Sequence, residues 1–194
     1  MRKMITVKIN GEERQYPQGA TYEDVANDYQ QEYENLIALA ARDGKIRELF
    51  KKLTRDCEVT FFTLKDDVGN KTYVRSATML FLKAVFDVYG REAARSCRVE
   101  FAIGNGSYIS PKGKINATEE NAAKIRNRMR ELVEAKTPFL KRSYSLDNAM
   151  ELFRKEGMKD KEKLFRYRRG SFVNIYEMDG YYDYYYGYML PNAG

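Results

Sequence analysis

The 194-residue chain contains no histidine and only two cysteines. Without imidazole it lacks the commonest zinc ligand, the Ser-His-Asp and Cys-His triads and the usual near-neutral general base, so its composition argues against catalysis. Cys57 and Cys97 lie far apart, without metal-ligand spacing, and in a reducing compartment they are expected to be free thiols. No apolar run approaches the roughly 20 residues needed to span a bilayer. Met1-Arg2-Lys3-Met4 leads into an alternating strand pattern rather than a hydrophobic signal segment. These absences predict a cytoplasmic protein with no membrane contact. The remainder is ordinary for a globular chain, with 43% apolar and 32% charged residues. The 34 basic side chains against 28 acidic ones give a formal net charge of +6, compatible with a phosphate-bearing partner without requiring one. The length allows one large domain or two small ones.

The first part of the chain reads as short strands around one helix. Ile5, Val7 and Ile9 alternate along a strand, Asn10-Gly11 is the favoured hairpin pair, and Glu12 to Tyr16 forms the return. Pro17 and Gly19 break the chain, and Thr21 with Asp24 caps a helix that turns Val25, Ala26 and Tyr29 inward. Leu36 to Ala41 reads as a buried strand, Asp43-Gly44 turns into Lys45 to Leu49, and Val59 to Leu64 supplies a further strand. This order is a β-grasp pattern.

Asp66-Asp67-Val68-Gly69-Asn70 is the predicted domain boundary, being polar and turn-forming. A long helix is expected from about Thr72 to Tyr89, with Met79, Leu82, Phe86 and Tyr89 on its apolar stripe and Gly90 ending it. Val99, Phe101 and Ile103 alternate as a strand, and Gly104-Asn105-Gly106 connects tightly into Tyr108. Thr118 caps a helix with Ala122, Ile125, Met129 and Leu132 on one side. Ser145 and Asp147 open another, carrying Ala149, Leu152 and Phe153 inward and stopping at Gly157. Val173 to Met178 and Tyr181 to Leu190 read as two strands around Asp179-Gly180.

Three features bear on function. Gly104-Asn105-Gly106-Ser107 lacks the Gly-Lys-Ser/Thr ending and following helix of a phosphate loop, and reads as a turn. Arg166-Tyr167-Arg168-Arg169, with Lys141-Arg142, interleaves cations and aromatics as nucleic-acid surfaces do, and equally suits a solvated strand edge. In the run Tyr181 to Tyr188, a strand would set Tyr182, Tyr184, Tyr186 and Tyr188 on one face, either as packing or as a stacking platform.

In order, these pieces resemble part of bacterial threonyl-tRNA synthetases: a TGS domain followed by the editing "second additional domain". The resemblance runs over essentially the whole chain. It includes Thr63-Leu64-Lys65-Asp66, Arg75-Ser76-Ala77, Ala102-Ile103-Gly104, Thr118-Glu119-Glu120 and Arg128-Met129-Arg130-Glu131-Leu132. It is most specific at Asp183-Tyr184-Tyr185-Tyr186-Gly187-Tyr188-Met189-Leu190-Pro191-Asn192-Ala193-Gly194, which matches the family's Asp-x-Cys-x-Gly-Pro-His-x-Pro-Asn-x-Gly. The resemblance implies an α+β fold, with a ubiquitin-like β-grasp (TGS) domain over 1–65 and an editing-type domain over 71–194. Carried over by position, the family's paired histidines fall on Arg75 and Met79, its cysteine on Tyr185 and its last histidine on Met189. Asp183 keeps the family's residue. Guanidinium and phenol do not replace imidazole and thiolate on zinc, and zinc seldom accepts a thioether, so neither editing nor a metal site is expected.

The variant residues, Arg75-Ser76-Ala77-Thr78, Arg166 to Arg169 and Asp183 to Met189, are similar to bacterial nucleoside (uridine) kinase-like proteins. In those, TGS and degenerate editing domains precede a P-loop kinase. This resemblance implies an N-terminal fragment acting as a non-catalytic regulatory module, in contact with a kinase domain outside the chain. It implies no cofactor for the chain itself, with ATP and Mg confined to the kinase part. Arg75, Met79, Tyr185 and Met189 would either close the old pocket by packing or leave it to a nucleoside or nucleotide, with Arg75 on the anionic group. The alternatives are a tRNA- or RNA-binding module using Lys141, Arg142, Arg166, Arg168 and Arg169, and a metal-free aminoacyl-tRNA deacylase using Asp183.

Overall fold

The computed structural model describes residues 3–104, 106–113 and 115–194. Met1, Arg2 and the Asn105 of the expected glycine turn lie outside the described residues. The fold is α+β and divides into two compact units, Met1–Ser76 with Gly187–Pro191, and Ala77–Tyr186 with Asn192–Gly194. Among the described residues no helix is long and apolar enough to cross a membrane.

The first unit is a five-stranded mixed sheet in the order β2-β1-β5-β3-β4. β1 (Met4–Ile9) and β2 (Glu12–Pro17) form a hairpin, as do β3 (Ile37–Arg42) and β4 (Lys45–Glu48). β5 (Cys57–Thr63) lies between them, parallel to β1 and antiparallel to β3. Both hairpin turns have two residues at positive φ, Asn10 and Gly11 at 51° and 89°, Asp43 and Gly44 at 49° and 76°, as Asn-Gly and Asp-Gly pairs favour. Helix α1 (Tyr22–Tyr29) starts on a reciprocal cap in which the Thr21 hydroxyl accepts from the Asp24 amide and the Asp24 carboxylate accepts from the Thr21 amide. A short 3-10 turn, Gln30–Glu32, ends it. The helix buries Tyr22, Val25, Ala26 and Tyr29 against Ile5, Val7, Ile9, Ala40 and Val59 of the sheet.

The long helix α2 (Asp67–Ser96) begins five residues before the expected Thr72, so most of the residues expected at the domain boundary form its first turn. The Asp66 carboxylate accepts from the Thr63 amide (2.7 Å) and hydroxyl (3.0 Å), while its carbonyl accepts from the Asn70 amide (2.8 Å). These polar residues serve a helix start. Gly69 supplies room rather than freedom, because a Cβ there would collide with the Thr63 carbonyl oxygen. Gly90 interrupts the helix as expected (φ 83°), but the chain resumes helical geometry as far as Ser96.

The second unit contains the remainder of α2, a β6–β7 hairpin (Arg98–Ile103 and Gly106–Ser110) and α3 (Glu119–Glu134). It also holds a three-stranded antiparallel sheet in the order β10-β9-β8, with β8 at Leu140–Ser145, β9 at Phe172–Met178 and β10 at Tyr181–Asp183. Helices α4 (Leu146–Lys155) and α5 (Lys159–Phe165) pack Ala149, Phe153 and Phe165 on Val173 and Ile175. On the other sheet face, Tyr181 meets Phe86 of α2 with ring centroids 5.6 Å apart. Lys83, almost fully buried, donates to the Asp87 carboxylate (2.7 Å) and the Asp179 carbonyl (2.6 Å), and Arg128 of α3 holds the other Asp87 oxygen at 2.8 Å.

Three sequence expectations change here. The last strand stops at Asp183 instead of continuing to Leu190, because the Asp183 side chain takes the Tyr184 amide at 2.7 Å and draws it from a ladder. Tyr182, Tyr184, Tyr186 and Tyr188 therefore share no strand face: Tyr182 and Tyr184 pack against the α4–α5 core, while Tyr186 is 89% exposed. In β6, which forms as expected, Val99, Phe101 and Ile103 are exposed. Of the expected α3 stripe, Ile125 and Leu132 are buried, Met129 is half-buried and Ala122 is exposed.

Candidate functional site

The positions that the editing resemblance singles out are distributed over both units, Arg75 and Met189 in the first and Met79, Asp183 and Tyr185 in the second. In the first unit, Arg75 donates through Nη1 to the Tyr188 carbonyl at 3.1 Å. Its guanidinium lies over Gly187, where a Cβ would stand 2.6 Å from Cζ. Met189 is wholly buried, with its sulfur 3.6 Å from the Ser76 hydroxyl and its amide 3.4 Å from the Glu48 carboxylate. The Ser76 hydroxyl also accepts from the Leu190 amide at 2.9 Å. Arg75 and Ser76 thus hold the 187–191 segment through its backbone.

In the second unit Met79 is fully buried. The Tyr185 hydroxyl is sealed from solvent and has no hydrogen-bond partner among the described residues. Its ring meets Tyr176 edge-on at 6.5 Å. Burial, with Asp183 and Tyr181 nearby, pushes the Tyr185 phenol well above its usual range, so it stays neutral. Asp183 is almost fully buried, accepting from the Tyr184 amide and, at 3.3 Å, from the Tyr181 hydroxyl. Arg95 and Lys161 flank it at 3.8 Å each. Burial raises its pKa, while these two cations and the hydrogen bonds oppose the rise. A cavity of about 720 Å³ in this unit is bordered by Arg95, Lys161, Asp183, Tyr184 and Tyr185. Its chemistry is that of a closed charge network. Arg95 is itself engaged by the Tyr182 carbonyl (2.7 Å) and the Tyr181 hydroxyl (3.2 Å). Among the described residues no group of three His, Cys, Asp or Glu side chains is placed to hold a metal.

The basic candidates separate by environment. Lys141 and Arg142 are consecutive in β8 and point to opposite faces. Lys141 lies over the Tyr176 ring (5.3 Å), and Arg142 donates to Glu177 at 2.7 Å. Arg166, Tyr167, Arg168 and Arg169 fall together in the exposed connection from α5 to β9. Arg168 lies over the Phe165 ring and donates to the Tyr184 hydroxyl at 3.3 Å. Among the described residues no carboxylate pairs with Arg166 or Arg169, and Tyr167 is 84% exposed. The adjoining α5 adds Lys159, Lys161 and Lys163, so residues 159 to 169 hold six basic side chains and two acidic ones, a local excess the chain-wide balance conceals. Sequence reading missed the Phe101–Tyr108 stack, with centroids 5.2 Å apart on the exposed hairpin. Alternation alone does not say whether a strand face is covered.

No family model matches the chain. By sequence it is similar over nearly its whole length to threonine--tRNA ligases. It is 28% identical to that of Thermotoga neapolitana over 199 aligned positions, covering 99% of this chain and 29% of the relative. The Thermotoga maritima protein is 28% identical over 198 positions, covering 98% and 29%. That of Maricaulis maris is 27% identical over 193, covering 98% and 30%. The chain therefore spans less than a third of the length of these relatives and is threonyl-tRNA-synthetase-like across its own.

Proposed function

We propose that this chain is a tRNA-binding module, derived from the region it shares with threonine--tRNA ligases and working without editing chemistry. The observation that carries this reading is the exposed Arg166–Arg169 connection. There, two arginines without an acidic partner among the described residues flank a solvent-facing tyrosine, beside a helix that adds Lys159 and Lys163, while its Lys161 is paired with Asp160. Guanidinium groups neutralise phosphates and an exposed phenol ring can stack on a base. A deacylase using Asp183 is disfavoured, because that carboxylate is already occupied by an amide, a hydroxyl and two cations. A kinase-linked role has no support among the relatives named above.

Fluorescence anisotropy with a labelled tRNA transcript, at 50 to 200 mM KCl, tests the reading. Affinity is expected to fall with salt, and the paired change R166A/R169A to reduce the log–log salt slope by about two, one per phosphate contact. Salt-insensitive or undetectable binding at 50 mM overturns it.

A further inference from the structure

The first unit carries a second basic surface that no functional assignment above uses. The segment from Arg42 to Arg55, both included, holds six basic residues and two acidic ones. Asp43 is paired with the exposed Arg55 at 2.7 Å, and the buried Glu48 accepts from the Met189 amide at 3.4 Å. The hairpin register sets the geometry. Lys45 is directly opposite Arg42, and Arg47 is opposite Ala40. Directly opposed residues project to the same side of a sheet, as do alternate residues along one strand. Ala40 belongs to the core beneath α1, so Arg42, Lys45 and Arg47 all project to that side of the sheet.

The next segment brings a fourth cation to the same end. Tyr22 donates its amide to the Lys51 carbonyl at 3.0 Å, Leu53 donates to the Ala20 carbonyl at 2.7 Å, and Lys52 bridges to Thr21. Lys52 therefore lies beside the start of α1. Among the described residues no carboxylate pairs with Arg42, Lys45, Arg47 or Lys52; Arg42 donates to the Thr54 hydroxyl at 3.2 Å. Beneath them lies the buried Tyr22 hydroxyl. Burial pushes this phenol up and the nearby Arg42 and Arg47 charges pull it back, so both guanidinium groups act at that point.

We infer that the β3–β4 hairpin is a contact surface for RNA phosphates, with Arg42, Lys45, Arg47 and Lys52 as the donors. The inference rests on the tRNA-binding reading and extends it to the β-grasp unit. Guanidinium favours phosphate through two parallel donors, and β4, at the sheet edge, leaves this row accessible from the side. An acidic protein segment offers the same sign of charge and is the rival that the test must separate.

The measurement uses the full chain, the same labelled transcript, and the variants K45A/R47A and K45R/R47K. Thermal midpoints of both should stay within a few degrees of wild type. K45A/R47A is expected to weaken binding about three- to tenfold at 100 mM KCl and to reduce the salt slope by about one to two, while K45R/R47K, which keeps both charges, remains near wild type. At matched ionic strength, neither inorganic phosphate nor polyglutamate should displace the RNA. Displacement by phosphate would assign the hairpin to small anions, and displacement by polyglutamate to any polyanion; either overturns the inference. If K45A/R47A keeps wild-type affinity and slope while R166A/R169A loses both, the hairpin is not used and the tRNA reading stands. If the wild-type chain shows no salt-dependent binding, both fail together.

Discussion

Arg75 occupies a position where the editing resemblance has a metal-site histidine, yet its contacts in the first unit are those of a clamp. Its guanidinium fills the space that Gly187 leaves by having no side chain and donates to the next carbonyl, that of Tyr188. Gly187 has φ 138°, a conformation open to glycine and strained for residues with a Cβ. Gly187→Ala should therefore meet both a backbone penalty and a displaced Arg75, costing on the order of 2 kcal/mol in urea denaturation. Arg75→Ala removes the obstruction along with the hydrogen bond. The two changes together should then cost less than the sum of the separate ones. Strict additivity would show that the guanidinium does not occupy that space. The sequence could place Arg75 at this position but could not show its role, since its partner is a carbonyl 113 residues away.

Among the secondary-structure elements, those specified by local chemistry were legible in the sequence. The Asn10-Gly11 and Asp43-Gly44 turns, the Thr21–Asp24 cap and the Ile5, Val7, Ile9 alternation all form where the residues indicate, because each is settled within a few positions. The two misplaced ends are cases where a side chain captured a backbone group. Asp66 gathers the Thr63 amide and starts α2 early, and Asp183 captures the Tyr184 amide and ends β10 early. Asp-Asp-Val-Gly-Asn has linker composition, and only the approach of the Thr63 carbonyl reveals why glycine stands at 69. This fixes the sign of a test. In an ordinary helix position Gly→Ala stabilises by about 1 kcal/mol. Gly69→Ala should instead lower the thermal midpoint by several degrees, since the obstacle is backbone and cannot rotate away. A raised midpoint would mean that the helix start tolerates a methyl group and that the Thr63 carbonyl does not exclude it.

At the scale of the molecule, the missing histidine shapes the response to pH. No imidazole titrates, and burial raises the thiol pKa of both Cys57 and Cys97. Carboxylic acids as a class titrate mostly below about pH 6 and alkylammonium groups above about pH 8. Between about pH 6 and 7, RNA affinity and stability should both be nearly flat. Asp183 is the exception that the second unit provides. Because burial raises its folded pKa, the native state holds that proton more tightly than the unfolded chain does. Its contribution to stability is then fully present below the unfolded carboxyl pKa and is lost as the pH rises through the folded value. Wild type should lose stability relative to Asp183→Asn across that window, measured as the difference in urea-derived free energy from pH 4 to 7. The opposite trend, with wild type gaining on the asparagine variant as pH rises, would mean that Arg95 and Lys161 outweigh burial. Asp183 would then be a stabilising ion-pair partner, and the closed charge network would contribute most at neutral pH.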